Sequence, residues 1–159
     1  MRYLQLCELA ADDNKMIAAI LLDPPIKIHL WPRVVEGAIK IGFGDIKPWE
    51  NYTRAEYRAI SVGRTSSLGY LGWVIRYCEL FVLIRYTKKQ IHKIHKPILL
   101  IFAKKDEFVS LKSRRYFENN PLVIKEVILE DSGHFCYNHY DLLKLEKLFK
   151  VFIEGKRKK

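Results

Sequence analysis

Asp106 and His134 are the two residues of this chain whose types and positions best suit catalysis. Each lies in a loop that directly follows an apolar run, the runs being 97–103 and 123–129. A histidine titrates near neutral pH and can accept a proton from a hydroxyl nucleophile. A carboxylate that accepts its other ring N–H fixes the tautomer and stabilises the imidazolium. Because Gly133 also lets the backbone turn just before His134, the pattern predicts the acid and the base of a catalytic triad.

The two apolar runs predict adjacent strands of a parallel sheet that is buried on both faces. A continuous apolar run of the length of 97–103, bounded by proline and charged residues, is typical of such a strand. In an open α/β sheet, chemistry is usually placed in the loops beyond the carboxyl ends of the strands. Either residue alone would be interpreted as part of a solvated loop, but their positions at consecutive strand ends favour a catalytic pair.

The rest of the chain predicts an α/β fold with about three parallel strands and flanking helices. A further buried strand is expected at 16–22, where the prolines of Asp23-Pro24-Pro25 stop it because proline cannot continue a hydrogen-bonded ladder. The region 26–90 contains all three tryptophans and several short helical patterns, so we interpret it as a helical insertion over the sheet. Helices are predicted over 1–13, 55–60, 71–86, 110–118 and 140–154, with Gly155 just beyond the last.

Composition indicates one globular domain. The chain has 159 residues, of which 49% are hydrophobic and 13% aromatic, and this is enough to form a core. Its formal net charge is +10, and the last four residues, 156–159, are all basic. Net charge bears on association and solubility, and we interpret the basic tail as a solubilising end. We therefore do not expect a nucleic-acid partner.

Other classes of site and segment lack support in the sequence. The three cysteines show no C-x-x-C spacing, which argues against a disulfide framework and favours a reducing cytosol. His92 and His95 are spaced i, i+3, but no third metal ligand can be identified. The N-terminus lacks a signal-peptide apolar region, and the most apolar segment, 70–84, is too short and too interrupted by charge to span a bilayer. We expect a soluble cytoplasmic protein without cofactor, metal or transmembrane segment.

The segments KPILLIFAKKDEFVS and LEDSGHF resemble the C-terminal third of α/β-hydrolase-fold enzymes, most closely the monoacylglycerol lipase and serine aminopeptidase branch. In that pattern Asp106 matches the triad acid, and His134 matches the histidine that follows the final strand in an s-G-H turn. The segment MRYLQLCELAADDNKMIAAILLDPP resembles the helix after the nucleophile elbow and the next strand. TKKQIHKIHKP resembles the approach to the strand that bears the acid. The resemblance implies a single domain with a post-elbow helix and strand at 1–25, a helical cap or lid at 26–90, and a C-terminal core at 91–159.

The resemblance implies hydrolysis of a carboxylic ester, either a lipid or a small acyl ester bound under the cap, by Ser-His-Asp acyl transfer. In that family the nucleophile lies on a G-x-S-x-G elbow, and this chain contains no such sequence. The nearest candidate is Ser67, with Gly69 two residues later, but Thr65 stands where the first glycine should be and the segment falls in the cap. Without its serine and oxyanion hole, the chain is expected to be a truncated hydrolase that is inactive alone.

Three alternatives to an esterase stay open at this point. The first is an aminopeptidase-type hydrolase, and the second is a non-catalytic remnant that binds a partner chain or a hydrophobic ligand. The third, a basic nucleic-acid or anionic-surface binder, is suggested by charge alone. In addition, the strand at 16–22 would lack one neighbour, and its unpaired backbone groups would offer an edge for self-association or for pairing with another chain.

Overall fold

Three parallel strands form one open sheet in the computed structural model, in the order β1, β2, β3. The strands are β1 (Ala19–Leu22), β2 (Ile98–Ala103) and β3 (Val123–Leu129). The structure describes residues 16–29 and 67–157, together with 32, 36–37, 39–40, 46–49 and 54. The helices predicted over 1–13 and 55–60, and most of the cap predicted at 26–90, lie outside these residues.

The central strand, β2, is buried along its whole length because helices cover both faces of the sheet. Alternate β2 side chains enter two separate clusters: Ile98, Leu100 and Phe102 enter one, and Leu99 and Ile101 enter the other. The buried part of the first cluster includes Ile84 of the helix that precedes β2, and that of the second includes Leu145 of the C-terminal helix. The uninterrupted apolar run of β2 thus follows from burial on two faces, and the prediction of parallel strands with flanking helices is confirmed.

Two long helices flank the sheet. Helix α1 (Ser67–Gln90) is followed by a short 3₁₀ helix, Ile91–Lys93, that leads towards β2. Helix α2 (His139–Arg157) closes the chain and includes Gly155, which was predicted to lie beyond it. The helix continues because Gly155 is exposed, where glycine costs only about 1 kcal/mol relative to alanine. The basic residues that follow also suit a helix C-terminus.

The helix in the connection between β2 and β3 is shorter and more tightly wound than predicted. A 3₁₀ helix, Leu111–Tyr116, stands where the sequence predicted an α-helix over 110–118. Ser110 caps it, since the Ser110 hydroxyl accepts the backbone N–H of Lys112 at 3.3 Å. Short 3₁₀ segments are common connectors of this kind.

One edge of the sheet is formed by β1. Within the described residues β1 pairs with β2 alone, in the register Ala19 to Ile98 through Leu22 to Ile101. The strand ends at Asp23, whose φ of 44° is the left-handed conformation that aspartate adopts more readily than most residues. Among the residues that the structure describes, no helix has the length and apolar character needed to cross a bilayer.

Candidate active site

The loop after β2, residues 104–110, carries Asp106 and is called the acid loop. The loop after β3, residues 130–138, carries His134 and is called the histidine loop. The two loops lie side by side at the carboxyl edge of the sheet. The backbone N–H of Lys104 donates to Leu129 O at 2.8 Å, and that of Lys105 donates to Ser132 O at 3.2 Å. These bonds extend the pairing of the two strands into the loops. The acid and the histidine predicted from the sequence are therefore brought together by the parallel register of their strands.

The side chains of Asp106 and His134 form a hydrogen-bonded pair. His134 Nδ1 lies 2.8 Å from Asp106 Oδ2. Asp106 Oδ1 accepts the backbone N–H groups of Phe108 at 2.7 Å and of Val109 at 2.6 Å, and the residue is only 1% exposed. A carboxylate only accepts hydrogen bonds, so Nδ1 holds the proton and neutral His134 presents an unprotonated Nε2. No described residue hydrogen-bonds to Nε2.

The segment after β1 holds the acid loop from its other side. The backbone N–H of His29 donates to Phe108 O, and that of Ser110 donates to Lys27 O, both at 2.8 Å. The His29 ring also hydrogen-bonds through Nε2 to the Asp106 carbonyl at 3.0 Å. Asp106 is thus fixed by backbone contacts on both flanks, which limits the reorganisation needed when charge develops on the histidine.

Glu107 positions the histidine loop, a role that no pattern in the sequence indicated. The backbone N–H of His134 donates to Glu107 Oε2 at 2.9 Å, and Glu107 is buried. Gly133 makes this contact possible, because a Cβ there would lie 2.8 Å from Glu107 Oε2 and 3.1 Å from Lys105 O. In the sequence, Glu107 was one charge of a loop that looked solvated. Gly133 was expected to allow a turn before His134, whereas the feature seen in the structure is this close approach of Glu107 and Lys105.

Two aromatic rings stand beside the imidazole. The Phe108 and Phe135 ring centroids lie 5.2 Å and 5.1 Å from that of His134, and 5.2 Å from each other. The His134 side chain remains 39% exposed. The histidine therefore lies at an apolar surface that solvent or a ligand can reach.

The surroundings of His134 favour its protonated form. Burial lowers the pKa of the imidazole, but the hydrogen bond and the negative charge of Asp106 outweigh this effect. The charges of Asp23 and Glu107 act in the same direction, and the net result is a His134 pKa above the ordinary value of 6.5. A general base needs this stabilisation of its conjugate acid.

Asp141, in the first turn of α2, is hydrogen-bonded to the histidine loop. Asp141 Oδ2 accepts the Ser132 hydroxyl at 2.7 Å and the Asp131 N–H at 3.2 Å. Ser132 Oγ in turn accepts the N–H of Asn138 at 3.1 Å. These bonds join the loop to the start of the helix, where a carboxylate is also favoured by the helix dipole.

Asp23 is a second residue that sequence reasoning missed. It was predicted only to end a strand, yet it is a buried acid whose Oδ1 accepts the Ala103 N–H at 2.6 Å. Its Oδ2 accepts the Tyr137 hydroxyl at 3.2 Å. Desolvation by burial raises the pKa of Asp23 to about 6 despite the hydrogen bond from Ala103, which lowers it. The one signal in the sequence was an acid directly at the end of a buried strand.

The serines near the pair have structural partners. Ser113 Oγ donates to Lys27 O at 3.1 Å, Ser110 caps its 3₁₀ helix and Ser132 donates to Asp141. Ser67, the nearest match to an elbow serine, is the first residue of α1. No described serine hydrogen-bonds to His134. The structure therefore brings an acid and a base together, but none of these serines is placed to act as their nucleophile.

Metal ligation finds no support in the part of the chain that the structure describes, where no three histidine, cysteine or acidic residues are grouped closely enough to hold an ion. His92 and His95 lie near the opposite end of β2 from Asp106. A comparison with protein-family models gives no match, and none of the curated proteins is significantly similar to this chain.

Proposed function

We propose that this chain supplies the acid and the base of an α/β-hydrolase-type enzyme that cleaves carboxylic esters by Ser-His-Asp acyl transfer. The observation that supports this most is the 2.8 Å contact between His134 Nδ1 and Asp106 Oδ2, made by loops at the ends of adjacent parallel strands. The contact leaves Nε2 of a half-exposed histidine available to a hydroxyl group.

In the proposed reaction His134 accepts and returns one proton in each of two steps, acylation and deacylation. As the serine oxygen bonds to the acyl carbon, Nε2 takes the hydroxyl proton, and Asp106 stabilises the imidazolium. The bond to the leaving alkoxide then breaks, and Nε2 returns the proton to that oxygen. A water molecule repeats the sequence on the acyl-enzyme, releasing the carboxylic acid and restoring the serine. On this proposal the serine is supplied by a segment of the same gene product outside the residues described.

The apolar surface beside the base suits an ester with a hydrocarbon acyl chain. The Phe108 ring is tilted by 50° and the Phe135 ring by 88° to the imidazole, and neither offers a charge to a ligand. Aromatic side chains of this kind bind acyl groups through burial of apolar area, at about 25 cal/mol per Å². Lipid or small acyl esters therefore fit this surface better than charged peptides.

The test uses the full product of the gene, with an affinity tag at its C-terminus so that any residues encoded outside 1–159 are retained. Hydrolysis of p-nitrophenyl butyrate and labelling by a fluorophosphonate are measured for wild type, H134A and D106N. D131N is the matched control, since Asp131 is an exposed acid of the histidine loop that pairs with Lys105. An aminoacyl p-nitroanilide in the same assay separates aminopeptidase-type from esterase activity.

The expected result is esterase activity that D106N lowers by about 10⁴-fold, with H134A at least as impaired and D131N unchanged. A protein that neither hydrolyses the ester nor reacts with the fluorophosphonate contradicts the proposal. Activity that survives in D106N contradicts it equally, because Asp106 would then have no part in the reaction.

A non-catalytic binding role is the second candidate, and one feature of α1 favours it. Ile75, Val82 and Tyr86 are exposed on one face of the helix at spacings of seven and four residues. Exposed apolar stripes of this kind often bind hydrophobic ligands or partners. Binding of a fluorescent fatty acid that V82E abolishes would support this role, and equal binding by V82E would contradict it.

A further inference from the structure

Asp23 is a buried acid for which the proposed reaction has no use. It directly follows β1, is 5% exposed and has a φ of 44°. Its backbone N–H donates to Ile101 O at 2.9 Å and so continues the pairing of β1 with β2. A buried carboxyl group costs folding free energy unless its oxygens are hydrogen-bonded. The partners of those oxygens therefore indicate what the residue does.

The Asp23 carboxyl group joins both loops of the candidate active site. Oδ1 accepts the N–H of Ala103, three residues before Asp106. Oδ2 accepts the hydroxyl of Tyr137, three residues after His134. The side chain directly after β1 thus contacts the last residue of β2, where the acid loop begins, and a residue near the end of the histidine loop.

A purely structural role would be met at lower cost by asparagine. An amide oxygen could accept the Ala103 N–H without the cost of burying a charge, a cost seen in the Asp23 pKa of about 6. The charged groups that act on Asp23 are Asp106, which raises its pKa, and His134, which lowers it. In return, the charge of Asp23 raises the pKa of His134. The acid is therefore coupled electrostatically to the base of the pair.

We propose that Asp23 is a positioning residue for the His134–Asp106 pair: it holds the two loops together through Ala103 and Tyr137, and its negative charge stabilises the imidazolium. Its catalytic meaning rests on the proposed hydrolase function. The effect of Asp23 on the geometry and the pKa of the pair does not depend on that function, because it is present in the protein without substrate.

The experiment compares wild type, D23N and Y137F, with D131N as the control, by following the His134 imidazole signals in an NMR pH titration. D23N keeps an oxygen for Ala103 and removes the charge, so the His134 pKa should fall by up to about one unit. Y137F should lower it less, since loss of the Tyr137 hydrogen bond leaves Asp23 less ionised. D131N should leave it within about 0.2 units, because that charge is exposed and screened.

A His134 titration in D23N that superimposes on that of wild type overturns the proposal. If D23N does not fold, Y137F decides: a lower His134 pKa with faster exchange of the His134 amide proton supports the proposal, and wild-type behaviour overturns it. Ester hydrolysis is measured on the same samples, where D23N should lower kcat by about tenfold with little change in KM. A fall in the His134 pKa in a protein that cleaves no ester supports the positioning role and contradicts only the hydrolase function.

Discussion

His134 Nδ1 lies 2.8 Å from Asp106 Oδ2, in a pair whose acid is buried and whose histidine is partly exposed. This asymmetry is what a general base requires. The buried carboxylate is held by two backbone N–H groups, so it does not move when the imidazole gains a proton. The exposed side of the ring remains open to a reacting hydroxyl.

Replacing Asp106 should separate its structural from its electrostatic contribution. In D106A the N–H groups of Phe108 and Val109 lose their acceptor, which costs about 1–3 kcal/mol for each buried donor. D106N keeps an oxygen at that position, so its free energy of unfolding should exceed that of D106A by about 2–6 kcal/mol, the sum for the two donors. Urea denaturation measures the difference. Equal stabilities would show that these two bonds do not hold the loop.

A methyl group at Gly133 should displace the histidine loop. The added Cβ of G133A would lie 2.8 Å from Glu107 Oε2 and 3.1 Å from the Lys105 carbonyl, so side chain and backbone must both shift. We expect a loss of about 1–3 kcal/mol in the free energy of unfolding, together with a lower His134 pKa. G155A is the matched control, because nothing lies within 4 Å of a Cβ there and alanine favours the helix. A G133A variant as stable as wild type would contradict the close approach.

Asp23 should make stability fall as pH rises between about 4 and 6. Its pKa is raised from 3.8 to about 6 in the folded protein, so the folded state binds the proton more tightly than the unfolded chain. The stabilising effect of that proton is fully present below pH 3.8 and is lost as pH rises through 6. Relative to D23N, the free energy of unfolding of wild type should fall by up to about 3 kcal/mol over this window. A difference between the two proteins that does not vary with pH would show that Asp23 has an ordinary pKa.

The sheet and the pairing of Asp106 with His134 could be predicted from the sequence because both depend on local pattern. The strand expected at 123–129 has these same bounds in the structure, and the run at 97–103 begins one residue later as β2. The parallel pairing of two such strands places Asp106 and His134 at one edge without further information. The 3₁₀ helix was not predicted, since its hydrogen-bond pattern differs from an α-helix by a single residue.

The supporting residues could not be predicted because their partners are distant in the sequence. Glu107 reaches the His134 N–H across 27 positions, and Asp23 reaches Ala103 across 80 and Tyr137 across 114. Nothing in the residues beside Glu107 distinguishes it from a solvated acid, and the local sign at Asp23 is limited to its position directly after a buried strand. Their burial is set by the packing of three separate segments, which only the folded chain reveals.

We propose that Asp106 holds His134 as a base with its Nε2 unprotonated, and the protonation state of the imidazole reports whether it does. ¹⁵N NMR of the His134 ring across a pH titration reports both the tautomer and the pKa. We expect the neutral ring to hold its proton on Nδ1, with a pKa above 6.5 that falls in D106N. A neutral ring protonated on Nε2, or a pKa that is the same in wild type and D106N, would show that Asp106 does not hold His134 as a base.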